Sequence, residues 1–170
     1  MEDKIFEALA YAIPSIVTGA VAYFIFSGFV KQGTQEKKLE MLAEKKKDSL
    51  PIRLQAYERM LLFCERINPV KLLLLVKPIG NNTQDYLRLL LANIDQEYDH
   101  NMVQQLYITD ECWNVIIASK AAVTNTLKQI ANTSESAGDF RENVLLEYSK
   151  KEPQTDTAVA FLKNEVKKML

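Results

Sequence analysis

A run of 23 residues without a charge, positions 8–30, constrains this chain more than anything else in it. As an α-helix the run is about 34 Å long, at about 1.5 Å of rise per residue, and a hydrocarbon core of about 30 Å needs about 20 apolar residues. A secretory signal peptide opens on basic residues and carries a shorter apolar stretch. Here Glu2, Asp3 and Glu7 stand against Lys4 alone. A core helix of a globular domain keeps a polar face, and this run has none. Residues 1–32 therefore read as an uncleaved transmembrane anchor.

Charge on either side of the run sets its direction. Lys31, Lys37, Lys38, Lys45, Lys46, Lys47 and Arg53 follow it, and only Lys4 precedes it. An excess of Lys and Arg marks the cytoplasmic flank of a span. The expected topology is single-pass, with the N-terminus outside and the C-terminal domain in the cytoplasm. Within the run, Ala8, Ala12, Ser15, Gly19 and Ala22 recur at spacings of 4, 3, 4 and 3. Helices associate in lipid where small residues let backbones approach, so this stripe is the predicted interface with another membrane helix. Pro14 beside it frees the carbonyl four residues back.

The net charge of −1 hides an asymmetry. Residues 31–53 carry seven basic and four acidic side chains, net +3, whereas residues 54–170 carry 13 and 15, net −2. Residues 33–49 read as a charged helical stalk of strong helix formers, with Gly33 as a weak point. Lys31, Lys37, Lys38, Lys45, Lys46 and Lys47 are placed to touch anionic headgroups, each contributing about 1 kcal/mol near a membrane surface. The plainer reading is a solvated helix laced with charge pairs. No stretch combines the basic and aromatic residues of a nucleic-acid interface.

Residues 50–170 read as a cytoplasmic helical domain. Ser49 and Pro51 suit a helix start, and Ile52, Tyr57, Met60, Leu61, Cys64 and Ile67 recur at helical spacing. Asn68 with Pro69 opens a short helix. The stretch KPIGNN, 77–82, is a turn, because Pro, Gly and Asn all favour one. A long helix follows, bent or broken near 99–101, with Tyr86, Leu87, Leu90, Ile94 and Tyr98, then Val103, Leu106 and Tyr107, on its apolar side. Thr109 or Asp110 opens the next helix, which carries Trp113 as a core anchor and runs to about Asn132. Two shorter helices follow near 139–150 and 154–168, separated by Pro153. Phe140, Val144, Leu145 and Tyr148 face inward from the first; Ala158, Phe161, Leu162, Val166 and Met169 from the second, with Glu165 an exception. No stretch sustains the alternation of a strand. The predicted class is all-α: one transmembrane helix, a charged stalk and a multi-helix bundle.

Chemistry is sparse. Asp95, Glu97, Asp99 and His100 in DQEYDH form the one cluster of candidate metal ligands. Glu97 and His100 make a single ExxH pair, but His100 is the sole histidine, so a second pair of the ferritin-like kind is missing. Cys64 and Cys112 lack a CxxC spacing and read as buried thiols. No phosphate-cradling glycine loop is present. The sequence points to no catalytic residue, cofactor or small-molecule substrate.

The N-terminal span, LPIRLQAYERMLLFCERINP at 50–69 and EYDHNMVQQLYITDECWNVIIASK at 97–120 together resemble an uncharacterised family of small single-pass membrane proteins of the Bacteroidota. The resemblance covers nearly the whole chain and implies a bacterial inner-membrane setting without a known activity. The leading functional reading is a membrane-anchored structural or accessory subunit. It would act as a scaffold through helix–helix contacts, with the bilayer, other membrane subunits or a second copy as partners. The alternative is a metal-binding or enzymatic helical domain centred on Asp95, Glu97, Asp99 and His100.

Overall fold

The computed structural model describes every residue except Met1. For residues 2–13, Ser15, Gln32, Gln35, Glu36, Ala43, Lys45 and Lys46 it describes the helical backbone and not the side chains. The chain divides into two compact units, Met1–Ser49 and Leu50–Leu170. Among the described residues every regular element is helical, as the sequence predicts.

Helix α1 runs from Glu2 to Arg66. It passes Gly33 without a break, and it corrects the expected helix start at Ser49 and Pro51, through which it continues. The flanks explain the continuity. Leu, Met, Glu and Lys dominate 37–47, and an interior Gly costs only about 1 kcal/mol relative to Ala. Beyond Pro51, burial of Ala56, Tyr57, Met60, Phe63 and Cys64 stabilises the helical turns that the proline disfavours.

Within the first unit the described apolar side chains are exposed around the helix, including Ile16, Val21, Tyr23, Phe24, Phe26 and Phe29. Among the described residues no helix is long and apolar enough to cross a membrane. Of the uncharged run, the residues whose side chains are described comprise 14 and 16–30. That is short of the roughly 20 residues a span needs. Residues 8–13 and Ser15, which complete it, lie outside them.

The second unit packs the end of α1 with five further helices. They are α2 (Pro69–Leu75), α3 (Thr83–Asn101), α4 (Asp110–Thr133), α5 (Ala137–Lys150) and α6 (Gln154–Met169). Most starts are fixed by side-chain caps. Asn68 accepts from the amides of Val70 and Lys71, Asn82 from Asp85, Thr109 from Cys112 and Ser136 from Asp139. Each satisfies amides that the first helical turn leaves without partners. The α2–α3 turn needs Gly80, whose φ of 88° disfavours residues with a Cβ.

Helix α4 makes its most extensive packing with α6. The core is one cluster built from Tyr57, Phe63, Leu73, Leu90, Ile116, Leu127, Phe140 and Leu162 together with smaller neighbours. Buried polar groups are paired. Asn68 donates to Thr155 Oγ1 at 3.3 Å, and Ser119 Oγ donates to the Gln154 carbonyl at 3.1 Å. Among the described residues no buried side-chain polar atom lacks a partner.

The predicted break near 99–101 is present. Helix α3 ends at Asn101 and a 3₁₀ turn, Met102–Leu106, follows. Tightening from 3.6 to about 3.0 residues per turn rotates the later side chains off the apolar face. Val103, Leu106 and Tyr107 are accordingly exposed, contrary to the helical-period expectation, while Ile108 is buried. Ile52 and Leu145 are also exposed rather than inward. Trp113 is half-buried, not a core anchor. It sits one position round from the buried Cys112 and meets Tyr98, at a ring separation of 5.9 Å.

Candidate functional site

The DQEYDH segment ends α3, and its residues point in several directions because each step turns a helix by about 100°. Asp95 faces α4, where Lys120 Nζ lies 2.6 Å from its carboxylate. The same ammonium stands 4.4 Å from the centre of the Tyr98 ring. Tyr98 lies between Trp113 of α4 and Phe63 of α1, the latter with ring centres 6.4 Å apart. Glu97 turns to α1 and accepts two hydrogen bonds from Arg66 Nη1, at 2.8 and 3.0 Å. Asp99 and His100 remain exposed.

Two of the four candidate ligands are therefore held by cations, and the four do not converge. Among the described residues no three of His, Cys, Asp and Glu come together to hold a metal ion. The segment joins α1, α3 and α4 through two ion pairs and three aromatic rings. Beside it lies a polar groove lined by Arg59, Arg66, Glu58, Glu97, His100 and Asn101, among others. Its lining holds acids and bases but no Ser, Thr, Cys or Lys. Cys64 and Cys112 are free and fully buried. Burial pushes the Cys64 thiol up to about 12, with the neighbouring Cys112 adding to it. Burial likewise pushes Cys112 to about 12, followed by the charge of Glu165. Both stay protonated at neutral pH, and a thiol is a poor nucleophile and metal ligand.

Glu165 is the residue whose importance the sequence concealed. It falls on the inward side of α6, where its carboxylate accepts from Thr109 Oγ1 at 3.0 Å and from Tyr57 Oη at 3.3 Å. Lys168 Nζ lies 3.2 Å away. Burial pushes the carboxyl up, but these three hydrogen bonds and the Lys168 charge outweigh it and hold the group below its ordinary value. One carboxylate thus ties α1, the cap of α4 and α6 together. The only signal in the sequence was an acid interrupting an apolar face.

Next to this junction an open apolar groove of about 380 Å³ runs between α1 and α6. Tyr57 and Leu162 form its buried floor, and Leu54, Leu61 and Val166 its half-buried sides. Glu58 stands on the α1 rim, Lys163 and Lys167 on the α6 rim, all exposed and without an ion-pair partner among the described residues.

In the first unit, Gly19 and Ala22 of the small-residue stripe are exposed and line a shallow notch with Pro14 and Thr18. The Thr18 hydroxyl donates to the Pro14 carbonyl at 2.8 Å. Among the described residues, a Cβ built at Gly19 would meet nothing within 4 Å. The side chains of Ala8, Ala12 and Ser15 lie outside the described residues. So do those of Lys45 and Lys46, while Lys31, Lys37, Lys38 and Lys47 are exposed.

The described residues define an all-α protein whose helices are joined by an apolar core, aromatic contacts, caps and surface ion pairs, without an assembled catalytic constellation. The chain belongs to the family of unknown function DUF7935, whose model matches residues 3–169. No curated protein and no solved structure matches it.

Proposed function

We propose that this protein is a membrane-anchored accessory subunit, held in the bilayer by residues 8–30 and acting as a scaffold through helix–helix contacts. The observation that carries the reading is the exposure of the described apolar side chains on the first part of α1. Phe24 is 74% exposed, Phe26 72%, Phe29 72% and Ile16 68%. Burying a side chain of this size in an apolar phase contributes about 1.5–3 kcal/mol, so an uncharged helix with this surface is far more stable in lipid than in water. The basic flank, of which Lys31, Lys37, Lys38 and Lys47 are exposed, supports a cytoplasmic second unit. A bacterial inner membrane is the setting that the resemblance to Bacteroidota proteins favours. The same lysines can rest on anionic headgroups.

The notch at Gly19 and Ala22 is the proposed seat of a neighbouring membrane helix, from a second copy or another subunit. Gly19→Leu and Val21→Leu in the full chain test this. Neither adds charge, and a Cβ at Gly19 meets no described neighbour within 4 Å. Gly19→Leu is expected to disperse the assembly recovered in mild detergent, with Val21→Leu unchanged. Equal behaviour of the two would reduce the run to a plain anchor.

A further inference from the structure

The α1–α6 groove has an arrangement that its apolar floor alone does not explain: its two rims carry opposite charge. Glu58 stands on α1, Lys163 and Lys167 on α6, and the three line the same short stretch of groove. None has an ion-pair partner among the described residues. Of the neighbouring charges, Arg66 is engaged with Glu97 and Lys168 with Glu165, while the exposed Arg59 lines the polar groove beside Glu97.

We propose that the groove is a self-complementary interface, and that its occupant is the same groove of a second copy. A two-fold interface brings one surface patch against itself, so a patch fits only if its two halves are complementary. A two-fold axis running along the groove lays the α1 wall of one copy over the α6 wall of the other at the same height. Glu58 of each copy then faces Lys163 and Lys167 of its mate, and the contact repeats on the other side of the axis. Leu54 and Leu61 of each copy then lie over Val166 of its mate, and the product is a four-helix arrangement of two α1 and two α6 segments. A surface with both rims of one sign would repel its own copy in this geometry. The unequal rims therefore favour self-association over an acyl chain, which needs only the floor. The inference concerns the second unit and stands whether or not the first unit enters a membrane.

The test uses the full chain in mild detergent with Gly19→Leu throughout, so that self-association through the stripe is removed. Protomer mass is followed against concentration by sedimentation equilibrium. A reversible monomer–dimer equilibrium is expected. Glu58→Lys places like charges opposite each other on both sides of the axis and should raise the dissociation constant about tenfold. The pair Lys163→Glu with Lys167→Glu should do the same. All three together restore opposite charges and should return the constant to within about threefold of the parent. The substituted residues are exposed, and an unchanged melting transition verifies folding of each variant. A monomer at every concentration overturns the proposal while leaving the stripe untouched. So does a dimer indifferent to the reversals, or a triple variant no tighter than the reversals made separately.

Discussion

Phe24 and Phe63 lie on one helix and meet opposite fates. Phe24 is 74% exposed and Phe63 is 0% exposed. The two units differ in the same way throughout. In the second, apolar residues recur at helical spacing and close into one core, with polar side chains on the other faces. In the first, the uncharged run has no polar face in its sequence, and its described large apolar side chains are exposed. Hydrophobic content is high in both, so pattern separates them. A one-sided apolar stripe specifies packing against neighbouring helices, and an all-round one calls for an apolar solvent.

Alanine substitutions break or sharpen that contrast. The largest effect is expected at Phe63, where loss of a fully buried ring should cost about 3–5 kcal/mol in chemical unfolding of the second unit. Phe24→Ala should leave the same transition in place. A comparable loss at Phe24 would mean that the first unit contributes to the fold of the second. Trp113→Ala should fall between them, at about 1–3 kcal/mol, because the ring is half-buried and its main partner is Tyr98.

Glu165 gives a pH signature. Its carboxyl is held below the ordinary 4.5, so it contributes stability above that value and loses it as pH falls through the lower folded value. Glu165→Gln should therefore be less stable than the parent at neutral pH, with the gap closing as the solution is acidified below 4.5. Melting temperatures at neutral pH and in acid measure this, and a gap that widens in acid would refute the assignment. The smallest effect is expected at Arg66, which is 58% exposed. Arg66→Ala should cost no more than about 1 kcal/mol despite its two hydrogen bonds to Glu97, because exposed ion pairs contribute little.

Local chemistry made much of the second unit legible in the sequence. Asn68 and Thr109 declare helix starts because capping depends on a single side chain and the amides two or three residues on. The turn at 77–82 declares itself through Pro, Gly and Asn. Where two local signals compete, the sequence misleads. Pro51 suits a helix start, yet burial of Tyr57, Met60 and Phe63 downstream carries α1 through it. At Met102 the change of pitch redirects Val103, Leu106 and Tyr107, which a 3.6-residue period places inside. The candidate site was less legible still. The acids of DQEYDH suggest ligands, but their partners Lys120 and Arg66 come from other helices. Glu165 reads as an interruption until Thr109 and Tyr57 are brought to it by the fold.

The contrast between the units rests on one claim, that residues 8–30 lie within a bilayer. Alkaline carbonate extraction of membranes from bacteria expressing the full chain tests it most directly, because the treatment strips proteins held by charge or by surface contact. The chain is expected to remain in the membrane pellet and to leave it only with detergent. Release into the carbonate supernatant would contradict the account, and the exposed apolar surface from Ile16 to Val30 would then have to be covered by protein.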